Sequence, residues 1–109
     1  MTGLEAFQAL DLRVGRILAA EPLAGARKPA YKLSIDLGAL GVKGSSAQIT
    51  ELYAPETLIG RLVVCAVNLG PRRIAGFVSE VLVLGAPDDA GRVVLLAVER
   101  EVPLGGRVF

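Results

Sequence analysis

The sequence contains no histidine and no tryptophan, and it has a single cysteine. Without histidine, a Ser-His or Cys-His catalytic pair, a histidine-ligated zinc and a histidine general base are all excluded. The one cysteine, Cys65, cannot form an internal disulfide, which is typical of a protein in a reducing cytosol. It lies inside the apolar run LVVCAVN. Because apolar burial raises the pKa of a thiol, we expect Cys65 to be unreactive.

Long apolar runs are also missing. No stretch approaches the ~20 apolar residues that a membrane helix needs. The beginning, MTGLEAFQALDLR, has neither the basic start nor the apolar segment of a signal peptide. We therefore expect a cytoplasmic protein that does not insert into a membrane. No nucleophile, base or metal cluster stands in a convincing arrangement, so the sequence predicts a protein that is not an enzyme and has no cofactor or metal.

The net charge is close to zero, at +1, which argues against indiscriminate binding to polyanions. The charges are nevertheless unevenly distributed. Residues 11–73 hold nine Lys or Arg against five Asp or Glu, whereas residues 74–109 hold three against five. This asymmetry permits one basic face on a nearly neutral protein.

Apolar residues are abundant and make up 52% of the 109 residues. The length fits a single domain, residues 1–109, and a domain of this size buries about two-thirds of its unfolded surface. Because the apolar residues exceed what so small a core needs, we expect some of them to mediate self-association. The run VVLLAV at 93–98 lacks alternation. Either it is a core strand or, as we favour, its outer face packs against a second copy.

Alternation and turn residues predict five or six strands. In the clearest, YKLSIDL, Tyr31, Leu33 and Ile35 share one face. A long strand in DLRVGRILAAEPL changes phase at Gly15, which predicts a bulge or bend there. The other segments are a short helix in GLEAFQA, a glycine-rich loop GALGVKGSS, a third strand AQITEL, one helical turn in APETLIG, and strands in RLVVCAVNL, FVSEVLVLGA and RVVLLAVE, with turns at LGPRRIAG and PDDAG. This order predicts an all-β, five-stranded Greek-key OB-fold barrel with a short helix between strands 3 and 4.

OB barrels bind ligands across strands 2 and 3 and the flanking loops. On that face the expected outward side chains are Lys32, Ser34 and Asp36 beside Gln48 and Thr50, with Arg27, Lys28 and Lys43 in adjoining loops and Arg72 and Arg73 in the strand 4–5 loop. Such cations can follow a phosphate backbone, although each one taken singly is more simply a solvated surface charge. Since Tyr31 points inward and the other aromatic residues are few, base stacking is not expected. Recognition of shape or backbone is then the remaining nucleic-acid mode.

Three features of this region have open interpretations. The segment GVKGSS superficially resembles a phosphate loop, but no long helix follows it, so a strand 2–3 connection is favoured. Asn68 either binds a ligand or caps the turn that begins at Leu69. Glu80 either faces the ligand groove or pairs with an arginine.

Five segments taken together carry a family resemblance: DLRVGRILAAEP, ARKPAYKLSIDLG, SSAQITELY, LIGRLVVCAVNLGPRRIAGFVSEVLVLGAPDDAG and VVLLAVEREVPLGGRV. They resemble the CsaA family of chaperone-like proteins. More widely, they resemble the tRNA-binding OB domain that occurs as a free protein and as an appendage of some methionyl-tRNA synthetases. The resemblance covers residues 7–108, and ARKPAYKL and SSAQITELY point to the CsaA branch.

The resemblance implies an OB fold, a homodimer built from the terminal segments, and binding without catalysis. For the wider family it implies recognition of tRNA shape. For the CsaA branch it implies a protein-export chaperone for unfolded or precursor polypeptides, in contact with the SecA export motor. The most recognisable motif of the relatives matches Asn68, Pro71, Arg72, Arg73, Ser79 and Glu80. This chain has Ser-Glu-Val-Leu at 79–82 where relatives usually have Ser-Glu-Gly-Met, which argues against tight tRNA binding.

The leading hypothesis is therefore a homodimeric, CsaA-like chaperone, and the alternative is a structure-specific tRNA-binding protein that uses the basic face of the OB fold. The expected ligand-binding residues are Lys28, Lys32, Lys43, Ser46, Gln48, Asn68, Arg72, Arg73, Ser79 and Glu80. The expected dimer interface consists of Leu4, Phe7, Val94, Leu96, Val98, Val102, Leu104 and Val108.

Overall fold

The alternating segments form a curved antiparallel sheet in the computed structural model, which describes all 109 residues. The elements in chain order are α1 (Gly3–Ala9), β1 (Leu12–Pro22), β2 (Tyr31–Asp36), a 3₁₀ turn (Gly38–Leu40), β3 (Val42–Ala47), α2 (Pro55–Leu58), β4 (Leu62–Ala66), β5 (Arg72–Ile74), β6 (Phe77–Ser79), β7 (Leu82–Val83), β8 (Gly85–Pro87) and β9 (Val93–Leu95). No helix among them is long and apolar enough to cross a membrane.

The barrel is organised by β1, which pairs with different strands along its two halves. Residues 12–16 pair with β4, and residues 16–22 pair with β2. The strand order is β3-β2-β1-β4-β7, and every neighbouring pair is antiparallel. The chain just before β7 returns to β3, where the Glu80 N–H donates a 2.8 Å hydrogen bond to the Gly44 carbonyl. The result is a nearly closed five-stranded barrel with α2 between β3 and β4, which confirms the predicted OB fold.

The core lies inside this barrel. Tyr31, Leu33 and Ile35 of β2 are buried as the alternation predicts, and the Tyr31 hydroxyl donates a 2.6 Å hydrogen bond to the Tyr53 carbonyl. Cys65 on β4 is fully buried, and desolvation raises the pKa of its thiol to about 12. This agrees with the expectation of a buried cysteine. The other buried apolar residues of the main core are Ile17, Leu37, Ile49, Leu58, Val63 and Val81.

The predicted irregularity at Gly15 lies elsewhere in β1. Gly15 is in regular register, opposite Val63, and the bulge falls between Ile17 and Ala19. Gly15 is glycine for a packing reason, since an added Cβ would lie 2.5 Å from Ile35 Cγ2. The bulge predicted in this strand therefore exists, but it lies three residues after Gly15.

The third strand was also predicted in the wrong place. The sequence predicted AQITEL as the strand and GVKGSS as a loop, whereas β3 is Val42–Ala47 and pairs along its whole length with β2. The position of β3 is set by its backbone hydrogen bonds to β2. The sequence does not indicate this position, because the small side chains of β3 show no apolar alternation. Lys43 is consequently a strand residue opposite Ile35, and Gln48 lies just beyond the end of the strand.

The apolar run FVSEVLVLGA is three short strands, β6, β7 and β8, and not the single strand predicted. It passes from a β5–β6 hairpin, through the barrel edge, to a β8–β9 hairpin. The turn segment LGPRRIAG likewise contains β5. In β9 the alternating residues Val93 and Leu95 are half-buried, while Val94 is 42% exposed. Within one chain, the run VVLLAV at 93–98 therefore buries only one of its two faces.

The two terminal segments differ in how they contact the barrel. The predicted N-terminal helix is α1, which begins with a capping box between Thr2 and Glu5. The tail runs beside the start of β1, where the Gly105 N–H donates to the Val14 carbonyl (2.7 Å) and the Val108 N–H donates to the Leu12 carbonyl (2.8 Å). The tail therefore completes the barrel of its own chain.

Candidate binding groove

A cleft with three unpaired cations opens beside the barrel edge β3. Its volume is 530 Å³, and its charges belong to Arg27, Lys28 and Arg72. Ser46 and Gln48 also line it, and no carboxylate does. None of the three cations forms an ion pair within the molecule. The cleft, which we call the cationic cleft, therefore presents a positive field to an incoming ligand.

The connection between β1 and β2 presents Arg27 and Lys28. This loop is closed at its base, where the Leu23 N–H donates a 2.9 Å hydrogen bond to the Ala30 carbonyl and both residues are buried. Gly25, with a φ of 82°, provides the left-handed backbone that the turn requires. Because the base is fixed, the two exposed cations extend from a defined position at the rim of the barrel.

The β5–β6 hairpin presents Arg72, which lies opposite Ser79. Its two-residue turn consists of Ala75 and Gly76, with φ values of 50° and 81°, as two-residue hairpin turns require. Successive side chains of a strand point to opposite faces. Arg72 accordingly lines the cleft, while Arg73 points away and donates a 3.4 Å hydrogen bond to the Gly76 carbonyl.

Two of the predicted ligand-binding residues hold this hairpin on β3. Ser79 Oγ accepts a 3.0 Å hydrogen bond from the Ser46 N–H, and Glu80 Oε2 accepts a 2.8 Å hydrogen bond from the Gly44 N–H. The Phe77 ring covers Gly44, where an added Cβ would approach the ring to 2.9 Å. Glu80 makes no ion pair, so the interpretation that it pairs with an arginine is wrong. Both side chains position the hairpin.

An apolar furrow of 400 Å³ continues from the cationic cleft. The two share Ser46, Gln48, Arg72 and Ile74 and together form one groove, which we call the binding groove. The furrow is lined mainly by aliphatic side chains, among them Ile49, Ile74, Leu82, Leu84 and Val93, and no aromatic ring lines it. Sequence reasoning missed these residues. The only signal was the spacing of Ile74, two residues after Arg72 and hence on the same face.

Lys32 lies outside the binding groove. It is opposite Glu21 in the β1–β2 ladder, and its Nζ is 3.1 Å from Glu21 Oε1. Together with Arg73, it is a predicted ligand-binding residue that the fold separates from the others. Of the predicted set, the groove brings together Lys28, Ser46, Gln48 and Arg72.

Asn68 is used inside the molecule. Its Oδ1 accepts a 2.9 Å hydrogen bond from the Asp11 N–H, and its Nδ2 donates a 2.8 Å hydrogen bond to the Ala9 carbonyl. It therefore joins the end of β4 to the start of β1, and the interpretation that it caps the following turn is wrong. Lys43 and Glu80 line a second cleft of 340 Å³ with Asn68, and this cleft shares no lining residue with the binding groove.

The residues expected at a dimer interface form two groups. The exposed group, with 39% to 66% of each residue accessible, consists of Leu4, Phe7, Val94, Leu96 and Val102. The half-buried group consists of Val98, Leu104 and Val108. Val108 packs on a small core cluster of its own chain that contains Leu12 and Val64. The second group therefore has a role within one chain in addition to any role between chains.

The chain is similar to known proteins over nearly its whole length. Residues 12–107 match a family model described as "Putative tRNA binding domain". A curated relative, the methionine–tRNA ligase of Methanocaldococcus jannaschii, is 37% identical over 105 residues, which cover 91% of this chain and 15% of that protein. The chain thus spans less than a fifth of the length of that ligase.

Two solved structures match this chain from end to end. The chaperone CsaA from Bacillus anthracis has a TM-score of 0.92 and 52% identity, and the match covers 100% of this chain and 99% of that one. The CsaA chaperone protein from Picrophilus torridus also has a TM-score of 0.92, with 43% identity and full coverage of both chains.

Proposed function

The chain belongs to the tRNA-binding domain family, in its CsaA branch, and we propose that it is a non-catalytic chaperone that holds unfolded or precursor polypeptides in the binding groove. The observation that carries this proposal is the continuity of the groove. A cationic cleft and an aliphatic furrow share Arg72 and Ile74, so an extended ligand that enters one continues into the other.

An extended polypeptide can use both parts of the groove. Its apolar side chains would contact the furrow around Leu82 and Val93, and its carboxylates and carbonyls would contact Arg27, Lys28 and Arg72. Aliphatic walls with a polar rim bind side chains without a strict sequence requirement. By the same family relationship, we propose that the polypeptides are precursors for export, that SecA is a partner, and that the 109 residues act as one cytoplasmic domain.

A second function, structure-specific tRNA binding, is favoured by a different observation. The cationic cleft contains three cations without a carboxylate, and such a cluster suits a phosphate backbone. The similarity to part of a methionine–tRNA ligase supports the same function. The absence of aromatic rings from the groove argues against readout of unstacked bases, so the bound feature would be the shape and backbone of a folded RNA.

Salt separates the two functions. We would titrate the protein with bulk tRNA and, separately, with an unfolded polypeptide, each at about 50 and 200 mM salt. Three phosphate contacts should weaken tRNA binding by about 40-fold over this range. Binding of the polypeptide should weaken less steeply than this, because salt screens its contacts with the cationic cleft but not its contacts with the aliphatic furrow. A polypeptide affinity that falls as steeply as the tRNA affinity, or no polypeptide binding at all, would contradict the chaperone proposal.

We also propose that two copies associate through the exposed apolar residues of the terminal segments. Arg107 Nη2 donates a hydrogen bond to the Gln8 carbonyl, so the tail and α1 adjoin each other. Phe7 on α1 and Val102 in the tail are 43% and 39% exposed. An apolar surface of this kind on a small domain is typical of an interface between subunits.

The dimer can be tested by a single charged substitution. Phe7→Lys should yield a monomer in sedimentation analysis, because it buries a charge in the proposed interface. Val78→Lys, at a residue that is 40% exposed and lies opposite Arg73 in the β5–β6 hairpin, is the matched control and should leave the dimer intact. Truncation of the tail is a poor test, since the tail also completes the barrel of its own chain. A parent protein that sediments as a monomer would refute the proposal.

A further inference from the structure

The second cleft has a composition different from that of the binding groove. It is lined by residues that precede β1, lead into β3, follow β4 and precede β7, and its volume of 340 Å³ is in the range of small-molecule sites, about 300–1,000 Å³. Its charged side chains are Lys43, Glu80 and Asp11. A polyanion is disfavoured there because the two carboxylates outnumber the single cation. A bare metal cation is disfavoured by the lysine.

Two of the polar groups in this cleft are already committed. Both ends of the Asn68 amide are hydrogen-bonded to the backbone. Asp11 pairs with Arg13, with Nε and Oδ1 2.7 Å apart, and lies 3.9 Å from Arg107. The hydrogen bonds from Arg13 lower the pKa of Asp11, so the carboxylate stays ionised and paired.

The other two charged groups are available to a ligand. Lys43 is half-buried and forms no ion pair. Glu80 uses only Oε2 within the molecule, for the Gly44 N–H. The two side chains line the same cleft but are not paired with each other. A ligand with one anionic and one cationic group could therefore pair with both at once.

The remaining surface of the cleft is aliphatic. Leu37 and Val81 are buried, Val67 is half-buried, and Leu40 is 40% exposed. Aliphatic lining of this kind provides contact for an apolar side chain of a ligand.

We propose that this cleft binds a small zwitterion with an aliphatic side chain, an α-amino acid or a short peptide, whose carboxylate contacts Lys43 and whose ammonium group contacts Glu80. The second cleft shares no lining residue with the binding groove, so this proposal is argued from other residues than the chaperone and tRNA proposals. A small pocket that contains both Glu80 and Arg72 lies between the two sites.

The test is a set of NMR titrations with matched probes. L-leucine and leucyl-leucine carry both charges, leucinamide carries only the ammonium group, and N-acetyl-leucine carries only the carboxylate. We expect the zwitterions to shift the backbone resonances of Lys43 and Val81 and to bind at least about 10-fold more tightly than either single-charge probe, because each lost contact is a charged hydrogen bond. Tighter binding of leucyl-leucine would indicate that the ligand is a short peptide, and tighter binding of leucine would indicate that it is a free amino acid.

Two substitutions test the assigned contacts without disturbing the fold. Lys43→Met should remove the preference for leucine over leucinamide, and Glu80→Gln, which keeps an oxygen for the Gly44 N–H, should remove the preference for leucine over N-acetyl-leucine. Lys32→Met, outside the cleft, is the control and should retain both preferences. Three results would overturn the proposal: equal affinity for the zwitterions and the single-charge probes, unchanged preferences in Lys43→Met, or no resonance shifts at the cleft with either zwitterion. Lys43→Met, titrated with polypeptide and tRNA, reports separately on the binding groove, because Lys43 does not line that groove and Glu80 also supports the hairpin that carries Arg72.

Discussion

Glu80 Oε2 accepts a 2.8 Å hydrogen bond from the Gly44 N–H, and the Glu80 N–H donates a bond of the same length to the Gly44 carbonyl. This pair of bonds joins the hairpin that carries Arg72 to the edge strand β3. The position of Arg72, one cation of the binding groove, therefore depends on the Glu80 carboxylate, which lines a small pocket beside that groove together with Arg72. The acidic residue of the family motif acts here as a structural support.

Removing this support should loosen the hairpin. We expect Glu80→Ala to lower the local opening free energy of β5 and β6 by about 1 kcal/mol, since one charged hydrogen bond is lost. Glu80→Gln should have a smaller effect because the amide oxygen still accepts from Gly44. Amide hydrogen exchange of residues 72–79 measures both, with β2 as the internal reference. Equal protection in Glu80→Ala and the parent would contradict the assigned role.

The two adjacent arginines should behave differently. Arg72→Met removes a cation from the cleft, and we expect it to weaken tRNA binding at about 50 mM salt by roughly 10-fold and to reduce the slope of log affinity against log salt by about 0.9. Arg73→Met removes a cation that points away, so both quantities should stay close to those of the parent. Losses of the same size in the two variants would show that the hairpin does not orient the arginines as described.

Gly15 should be intolerant of even one methyl group. A Cβ at this position would meet Ile35 Cγ2 at 2.5 Å and Leu37 Cδ2 at 2.9 Å, so Gly15→Ala should lower the free energy of unfolding by about 1–3 kcal/mol. Gly3→Ala is the matched control, because nothing lies within 4 Å of its added Cβ and alanine favours the helix. Urea denaturation of both variants tests this, and an unaffected Gly15→Ala protein would refute the packing explanation.

The free energy of unfolding should fall at alkaline pH because of Cys65. Burial raises the pKa of its thiol from an ordinary value of 9.0 to about 12. The unfolded chain therefore loses this proton more easily than the folded one, and the stability from the neutral thiol is complete below pH 9 and is lost between pH 9 and 12. Cys65→Ala lacks this component, so its free energy of unfolding should approach that of the parent as the pH rises from about 8 to 10.

Urea denaturation at about pH 8 and 10 measures the difference in the free energy of unfolding between the two proteins. This difference should change by at most about 1.4 kcal/mol per pH unit. The comparison between variants removes the titration of lysines and tyrosines, which both chains share. A thiol reagent gives a second readout, since Cys65 should react only at the rate at which the chain opens. A constant difference between the two proteins at both pH values would show that the thiol is already ionisable in the fold.

The elements that sequence reasoning located well are those with a local signal. The alternation of Tyr31, Leu33 and Ile35 identified β2 because one face of that strand is buried. Pro55 at the first helical position identified α2, and the apolar run around Cys65 identified β4. The basic character of Lys28 and Arg72 was also evident, although their convergence in one cleft depends on the barrel.

The elements that it misplaced have no such signal. β3 is formed by VKGSSA, whose small and polar side chains give no alternation, and its position follows from the backbone bonds to β2. The run FVSEVLVLGA is apolar except at Ser79 and Glu80, and nothing local to it shows that these two residues bond to β3 and that the chain turns there. Similarly, the exclusion of Lys32 from the groove follows from its pairing with Glu21 across two strands.

The sequence by itself thus determined the class of fold, the burial of Cys65 and the presence of a basic region, because each depends on residue type and short-range periodicity. Only the tertiary structure decided which cations share a cleft and which aliphatic residues extend the groove. It also decided that the side chains of Asn68, Ser79 and Glu80 form hydrogen bonds that stabilise the fold. These properties depend on contacts between residues far apart in the chain, such as Gly44 with Glu80 and Asp11 with Asn68. Such contacts are set by the closure of the barrel and leave no periodic trace in the sequence.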